Sequence, residues 1–521
     1  LIKDSGLSKD EAKLAMAREY DEAFKLIGSK NEKFEVLNLI KKFKLNYTTG
    51  GRYSHILGNN DKGKAIKILK KIYEKEFNKK FKTIGLGDSL NDKEMLVNVD
   101  RAFLLEKPDK KFVKIKHENL RRVKGVGPVG WNKAIVSIFY NIDYKKLESL
   151  YQNSVKILKK LQLKNGAILA SSPKGRYPYI YPRDHAICLL GLIDAGELSR
   201  AKKGIKFVLD NQSKDGSFPQ RLGKSGKDES YKPIQLDNTG LILFAFAKYI
   251  QKSNDIKFKS KYKKNIKKAV KYIESKLDKK KNLFFTPNSI HEFPPYEKGL
   301  EVYSNSTVFG AIKELEKVGI KSKIDLGKVK KSINKYFWNG EYFIKNIRLK
   351  ESSSVASDID ASSYGLADFG VYSESDKKIK IAVKKIEKEL WHKKLGGLCR
   401  YKKYIGRNNG GWGPWPHFTL MICRHYIKRG KKKKADEYLK WILEICYKNL
   451  LPEHIATKSD FEEWAKEYKK AGLLRKDREV MIKNIRKSKM YKKGLAYSVL
   501  PLAWPHAEFI RTWKLYKERF L

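Results

Sequence analysis

The chain has 521 residues, a hydrophobic share of 41% and nine Trp, which exceeds one compact domain of ~100–200 residues and implies two or three cores. Its 113 Lys and Arg against 58 Asp and Glu give a formal charge of +55. The lysines run along the whole chain, so a solvated basic surface that draws in anionic metabolites is expected, not a specific nucleic-acid interface. Cys188, Cys399, Cys423 and Cys446 stand singly with no CxxC, which speaks against a disulfide framework or a zinc knuckle and for a cytoplasmic setting. The longest apolar run, around Leu241–Phe246, is far short of the ~20 residues that span a bilayer, so no membrane partner is expected. Leu1 in place of Met, with no signal peptide after it, gives the expectation of a chain truncated upstream.

Residues 1–140 read as alternating helix and short strand. Lys64–Phe77 carries Ala65, Ile66, Leu69, Ile72 and Tyr73 at helical spacing. A strand-like Phe81–Leu86 then enters Gly87-Asp88-Ser89-Leu90-Asn91-Asp92. Carboxylates in a turn after a strand suit a hard cation such as Mg²⁺ beside a phosphate; an ordinary Asx-rich turn is the alternative. Upstream, Asn60-Asp61-Lys62-Gly63-Lys64 sets a Lys at a helix start, where free N–H groups favour phosphate.

Three stretches, Gly50–Ile66, Gly85–Leu96 and Gly125–Ile135, resemble mannosyl-3-phosphoglycerate phosphatases of the haloacid dehalogenase superfamily, in family order. The resemblance implies a phosphate-binding Lys62, a Mg²⁺ carboxylate at Asp88 with Asn91 and Asp92 in support, and Arg52 and His55 on a substrate-facing cap. It also implies an aspartate nucleophile in a DxDxT motif ahead of the cap, which nothing before residue 50 matches; Asp358-Ile359-Asp360 lies far downstream. No phosphatase turnover is therefore expected from this chain as given, and Mg²⁺ is expected only for the complete domain.

From Asp143 onward the pattern turns helical. Tyr144–Leu163 sets Leu147, Leu150, Tyr151, Val155, Leu158 and Leu161 on one face. Helices are also expected over Ala186–Ile193, Ala201–Asn211, Thr239–Gln251, Tyr262–Leu277, Ser306–Val318, Asp376–Leu390, His417–Lys428, Lys434–Leu450 and Ala503–Leu515, with a strand at Tyr342–Ile347. About a dozen helices without heptads suggest an α/α toroid with a site in the loops at one end.

Those loops hold a distinctive inventory. Tyr177, Tyr179 and Tyr181 run into Pro182-Arg183-Asp184, a fork of donors beside paired acceptors, suited to a sugar ring or to a structural ion pair. Gln220, Gln235 and Asp237 sit at loop-to-helix turns. Ser289–Ser304 holds Glu292, Glu297 and Glu301; Gly410–His417 offers Trp412 and Trp415; Leu450–His454 sets Glu453 after a proline. Aromatic platforms with placed carboxylates are what glycoside cleavage needs.

In order, Gly166–Ser171, YPRD, QLDNTG, the glutamate loop, Ile359–Ser362, GGWGPW, LPEH and PLAWPHAEFI resemble glycoside hydrolase family 15, the glucoamylase-like enzymes. The resemblance implies an all-α (α/α)6 toroid over residues 141–521, behind a partial α/β haloacid-dehalogenase-like domain over 1–140. It implies an inverting exo-glycosidase acting on an oligosaccharide or small glycoside with no cofactor. Arg183 and Asp184 would bind the terminal sugar. Glu453 would be the general base and Glu292 the general acid, with Glu297 and Glu301 as rivals. Two positions depart from the family: His291 and Tyr181 stand where Trp is usual, so a glycoside other than starch ends is expected. Alternatives are mannosyl-3-phosphoglycerate phosphatase activity in a bifunctional product, with a phosphorylated glycoside as substrate, or a basic carbohydrate- or nucleic-acid-binding protein with an inactive barrel.

Overall fold

The computed structural model describes residues 2–17, 19, 21–50, 53–139, 142–290, 298–347, 359–402, 413–470, 472, 474 and 476–521. Arg52, Glu292, Glu297 and Trp412 lie outside the described residues. Contacts divide the chain into Leu1–Asn141 and Ile142–Leu521.

In the first unit, β1 (Asp21–Phe24), β2 (Asn46–Gly50) and β3 (Tyr53–Leu57) form an antiparallel sheet in the order β1-β3-β2. Helix α1 (Lys62–Glu76) starts where the Asp61 side chain accepts from the Lys64 N–H at 2.7 Å. Then β4 (Ile84–Gly87), β5 (Arg101–Glu106) and β6 (Leu120–Val126) pair in parallel in that order, and α2 (Gly127–Phe139) follows. Central β5 alternates: Ala102 and Leu104 enter one apolar cluster, Phe103 and Leu105 another, as a parallel strand covered on both faces requires. The expected strand at Phe81–Leu86 begins only at Ile84, because Phe81 turns edge-on to the rings of Tyr73 and Phe77 on α1.

The second unit is a double ring of helices. The outer ones are α3 (Tyr144–Leu161), α5 (Leu198–Asp210), α7 (Ile256–Ser275), α9 (Leu326–Phe337), α11 (Lys377–Leu390) and α13 (Lys432–Ile445). Each buries one apolar stripe and shows solvent a Lys-rich face. Between them run the inner helices α4 (Pro182–Asp194), α6 (Leu236–Ser253), α8 (Val302–Glu316), α10 (Gly365–Asp368, after a 3-10 turn at Ala361–Tyr364), α12 (Pro416–Lys428) and α16 (Ala503–Phe520). The inner helices are buried nearly all round; in α4 every residue from Pro182 to Ile193 is. Neighbours in this inner series pack together, and α16 closes the ring on α4. One apolar core fills the unit from Ile142 to Tyr516.

Strand β7 (Leu283–Thr286) pairs with β8 (Gly299–Glu301), and β9 (Ile455–Thr457) with β10 (Leu495–Tyr497). A hairpin of α14 (Lys458–Lys470) and α15 (Lys476–Lys487) is inserted between β9 and β10, with a core of its own that includes Phe461, Trp464, Tyr468 and Met481. The strand expected at Tyr342–Ile347 shrinks to Asn346–Ile347, paired with Glu301 and Leu300. The helix expected to reach Leu450 stops at Ile445, where Cys446 turns extended, and Lys448 and Asn449 beyond it adopt positive φ. All four cysteines are free thiols, and no described helix is long and apolar enough to cross a membrane.

Candidate active site

In the first unit Asp88 directly follows β4, at the C-terminal edge of the parallel sheet. Asp92 accepts from the Lys62 ammonium at 2.7 Å and, with its other oxygen, from the N–H groups of Asp88 and Ser89 at 3.2 and 3.3 Å. Asn91 accepts from the Ser89 hydroxyl. His55, on β3, pairs instead with Asp21 of β1 at 2.8 Å, while β2 packs on the Leu90–Asp92 turn. The expected phosphate and metal residues thus share one neighbourhood, but Lys62 and two amides already use the Asp92 carboxylate. Among the described residues no three His, Cys, Asp or Glu form a metal-holding group.

The second unit gathers far more. The N-termini of the inner helices meet at one end of the ring, and each begins on a residue of a loop motif. Tyr181 caps α4, Gln235 caps α6, Glu301 caps α8, Asp360 caps the 3-10 turn, Trp415 caps α12 and Leu502 caps α16. Pro at the first position of α4 and α12 suits helix entry, where its missing N–H costs nothing. Asp184 and Asp237 lie in first turns, where the helix dipole favours negative charge.

Arg183 joins these two carboxylates, with Nε 3.5 Å from Asp184 and Nη1 3.6 Å from Asp237. Its guanidinium lies 5.6 Å over the Trp504 ring. Trp504 stacks on His417 at 4.4 Å, and His417 stands edge-on to Trp415 at 5.3 Å. Trp415 in turn stacks on His454 at 4.6 Å. Burial, with the nearby charges of Arg400, His454 and Arg183, pushes the His417 imidazole well below its ordinary range, so it stays a neutral ring. Gln235 donates to the Ser289 carbonyl at 2.6 Å and holds the start of the glutamate loop.

Glu453 faces this group from the strand pair. It is 7% exposed. Ser498 donates to its Oε2 at 2.7 Å and Tyr177 to its Oε1 at 3.4 Å. Tyr177 stands edge-on to Tyr181 at 6.0 Å, which joins Glu453 to the start of α4. Burial raises the carboxyl above its ordinary value; the Arg176 charge, the Ser498 and Tyr177 hydroxyls and the Arg400 charge oppose that rise. The 453–455 backbone bonds to Val499 and Pro414, which brings Gly413-Pro414-Trp415 against Glu453. Gly413 is required there, because a Cβ would sit 1.8 Å from the Ile455 carbonyl oxygen.

Glu301 is fully buried; it accepts from the Ile290 N–H at 3.0 Å and from the Ser304 hydroxyl at 2.5 Å, and so pins β8 to α8. The structure therefore brings Tyr181, Arg183, Asp184, Asp237, Trp415 and Glu453 into one connected set. It adds residues that sequence reasoning passed over: Arg176, Arg400, Ser498, and His417 and Trp504 as stacked rings. The last two sat inside quoted motifs, whereas Arg400 and Ser498 carried no signal at all.

The sequence profile of glycosyl hydrolases family 15 matches residues 145–514. An uncharacterized glycosyl hydrolase of Methanocaldococcus jannaschii is 26% identical over 378 residues, covering 66% of this chain and 58% of its own length. A bacterial glucoamylase solved with acarbose shares the fold at a TM-score of 0.51 and 18% identity, covering 75% of this chain and 60% of that one. The first unit is similar to the glucosyl-3-phosphoglycerate/mannosyl-3-phosphoglycerate phosphatase of Methanococcoides burtonii, at 51% identity over 137 residues, 26% of this chain and 50% of the relative. The chain thus spans about half the length of the curated relatives it matches. With the profile covering well over half of the sequence and its motifs lining one end of the helical ring, the chain belongs to glycosyl hydrolase family 15.

Proposed function

We propose that the second unit is an inverting exo-acting glycoside hydrolase. The observation that carries this reading is Glu453, a buried carboxylate oriented by Ser498 and Tyr177 beside the Arg183, Asp184 and Trp504 group. Arg183 and Asp184 would bind the terminal sugar, with Tyr181 and Trp415 as apolar walls. Glu453 is the general base: ionised, it takes a proton from the water that attacks the anomeric carbon. Glu292 is the general acid for the leaving oxygen. Inversion requires ~6.5–9.5 Å between the two carboxyl groups. Glu453→Gln is expected to bind sugar and to lose at least ~10²-fold in hydrolysis, the lower end of general-base contributions. Glu292→Gln should lose less on aryl glycosides, whose leaving groups need little protonation. NMR of the first-formed product decides the stereochemistry; retained anomeric configuration would exclude the inverting assignment.

A second reading concerns the first unit. Its 51% identity to the Methanococcoides burtonii enzyme, with the Lys62–Asp92 pair beside Asp88, supports phosphate removal from glucosyl- or mannosyl-3-phosphoglycerate by a bifunctional product that also carries the aspartate nucleophile; the chain as given would bind the phosphorylated glycoside without turning it over. A phosphorylated glycoside is then a partner of that unit, and the free thiols favour a cytoplasmic setting for both. Saturation transfer NMR with the phosphorylated glycoside tests it: contact signals that vanish in Lys62→Met support the reading, and their absence from the parent chain refutes it.

A further inference from the structure

Arg400 stands apart from the other buried arginines of the ring. Arg183 is matched by Asp184 and Asp237, and Arg424 by Asp368 and Glu508. Arg400 is 7% exposed, yet its Nε and Nη2 are buried without a hydrogen-bond partner among the described residues. What it touches is aromatic: its guanidinium lies 5.6 Å over Trp415 and 5.3 Å over Phe418. It stands on the Glu453 side of the stacked rings, where Arg176 lies 5.1 Å over the Tyr177 ring. Its charge acts on Glu453 through space, yet two buried N–H groups of a guanidinium without a partner among the described residues are costly to keep, and a ligand anion that accepts from them removes that cost. The rigid fork of donors fits two oxygens of one anion, where a sugar hydroxyl would use only one arm.

We propose that this site takes a glycoside whose aglycone carries a carboxylate, and that Arg400 receives that carboxylate; the inference rests on the glycosidase reading above. The chemistry of the second unit then follows that of a phosphatase domain complete with its nucleophile. Hydrolysis of the phosphoester in a hexosyl-3-phosphoglycerate leaves a hexosyl glycerate, with a neutral sugar ring and one remaining carboxylate. In the second unit water adds across the anomeric C–O bond. The water oxygen joins the anomeric carbon and its proton goes to Glu453, while the glycerate oxygen takes a proton from the general acid. Free hexose and glycerate result, with no oxidant or further reactant. A phosphomonoester is the other anion such a fork accepts, and the arms of the test separate the two.

The full chain is assayed with glucosyl and mannosyl glycerate, their methyl esters, their 3-phosphorylated forms and a neutral aryl glycoside. For at least one of the two sugars, kcat/KM should favour the acid over its methyl ester by at least ~10-fold, the scale of one charge-assisted hydrogen bond. In Arg400→Gln that ratio should fall to within about threefold of unity, and Arg176→Gln should lower it less. Equal rates on acid and ester in the parent chain overturn the proposal without recourse to any variant. Preference for the 3-phosphorylated form overturns the carboxylate assignment in favour of a phosphate site. Cleavage of the aryl glycoside without either glycerate sinks the proposal and leaves the glycosidase reading standing; cleavage of nothing sinks both.

Discussion

Glu453 shows how one side chain can be poised by opposed effects. Burial favours its neutral form, while two arginine charges and two hydroxyls favour the charged one, and burial prevails. As the proposed general base Glu453 must be ionised to work, so the acid limb of the kcat/KM profile should lie above the ordinary glutamate range. Ser498→Ala removes a donor to the charged form and should move that limb to still higher pH, with the rate on the alkaline side of the limb nearly unchanged. An unmoved limb would show that another group sets it. The stability consequence has the same origin. A carboxyl whose folded value is raised stabilises the fold fully below its unfolded value and loses that contribution as pH rises through the folded one. Glu453→Gln should therefore melt at a higher temperature than the parent at neutral pH, with the gap closing in acid. Glu453 was legible from the sequence because LPEH is a compact motif. Arg400 was not: among 113 Lys and Arg, nothing local distinguishes one buried guanidinium from its many solvated counterparts.

At the level of helices, the site depends on a second, buried charge group. Arg424 on α12 bonds Asp368 at 2.8 Å and Glu508 at 2.5 Å, and Arg511 meets Glu508 at 3.2 Å. Glu508 also accepts from the Trp504 indole N–H at 3.2 Å, so the group that locks α10, α12 and α16 together also fixes the ring beneath Arg183. Asp368 is held well below the usual carboxylate range by Arg424 and Arg511, which outweigh its burial. Its contribution to stability is present above the unfolded value and is lost as pH falls through the folded one. Arg424→Met would strand two carboxylates in the interior, at a cost of about 3–5 kcal/mol, readable as a lowered midpoint in urea. A loss below about 1 kcal/mol would mean that Arg511 alone suffices. Five of the six inner helices were found in the sequence and the short α10 was missed; three of the five were started three or four residues too late, Ala186 for Pro182, Thr239 for Leu236 and Ser306 for Val302. The polar motif residues look like loop and in fact form the first helical turn, where dipole and caps welcome them. Helices α9, α14 and α15 were missed because dense Lys and Glu obscure a narrow apolar stripe.

For the molecule as a whole, the double ring explains where the charge can go. Outer helices carry the lysines on their solvent faces, and inner helices are apolar almost throughout, so a charge of +55 coexists with one continuous core. That core lies wholly within Ile142–Leu521. Residues 142–521 expressed alone should unfold in one cooperative transition and keep the parent's kcat/KM on a neutral glycoside within about twofold, since additive behaviour is the rule for groups without shared partners. Aggregation of that fragment, or loss of its activity, would show that the first unit completes the second. The division into an α/β part and a helical part was readable from the change in periodicity near Asp143. The hairpin between β9 and β10 was not, since nothing in its composition announces a core of its own.

The seam between α16 and α4 has a consequence in time. The last helix of the chain packs on α3 and α4, more than three hundred residues earlier in sequence. Trp504, which sits beneath Arg183, arrives only with that last helix. During synthesis the ring stays an open crescent, with the flank of α4 bare, until α16 leaves the ribosome. Contacts of such sequence separation form slowly, so the nascent ring shows apolar surface and has no closed site until α16 is made. A holding chaperone should engage it in that window, and the proposed hydrolytic activity should appear in one step once α16 has been translated, not in proportion to chain length.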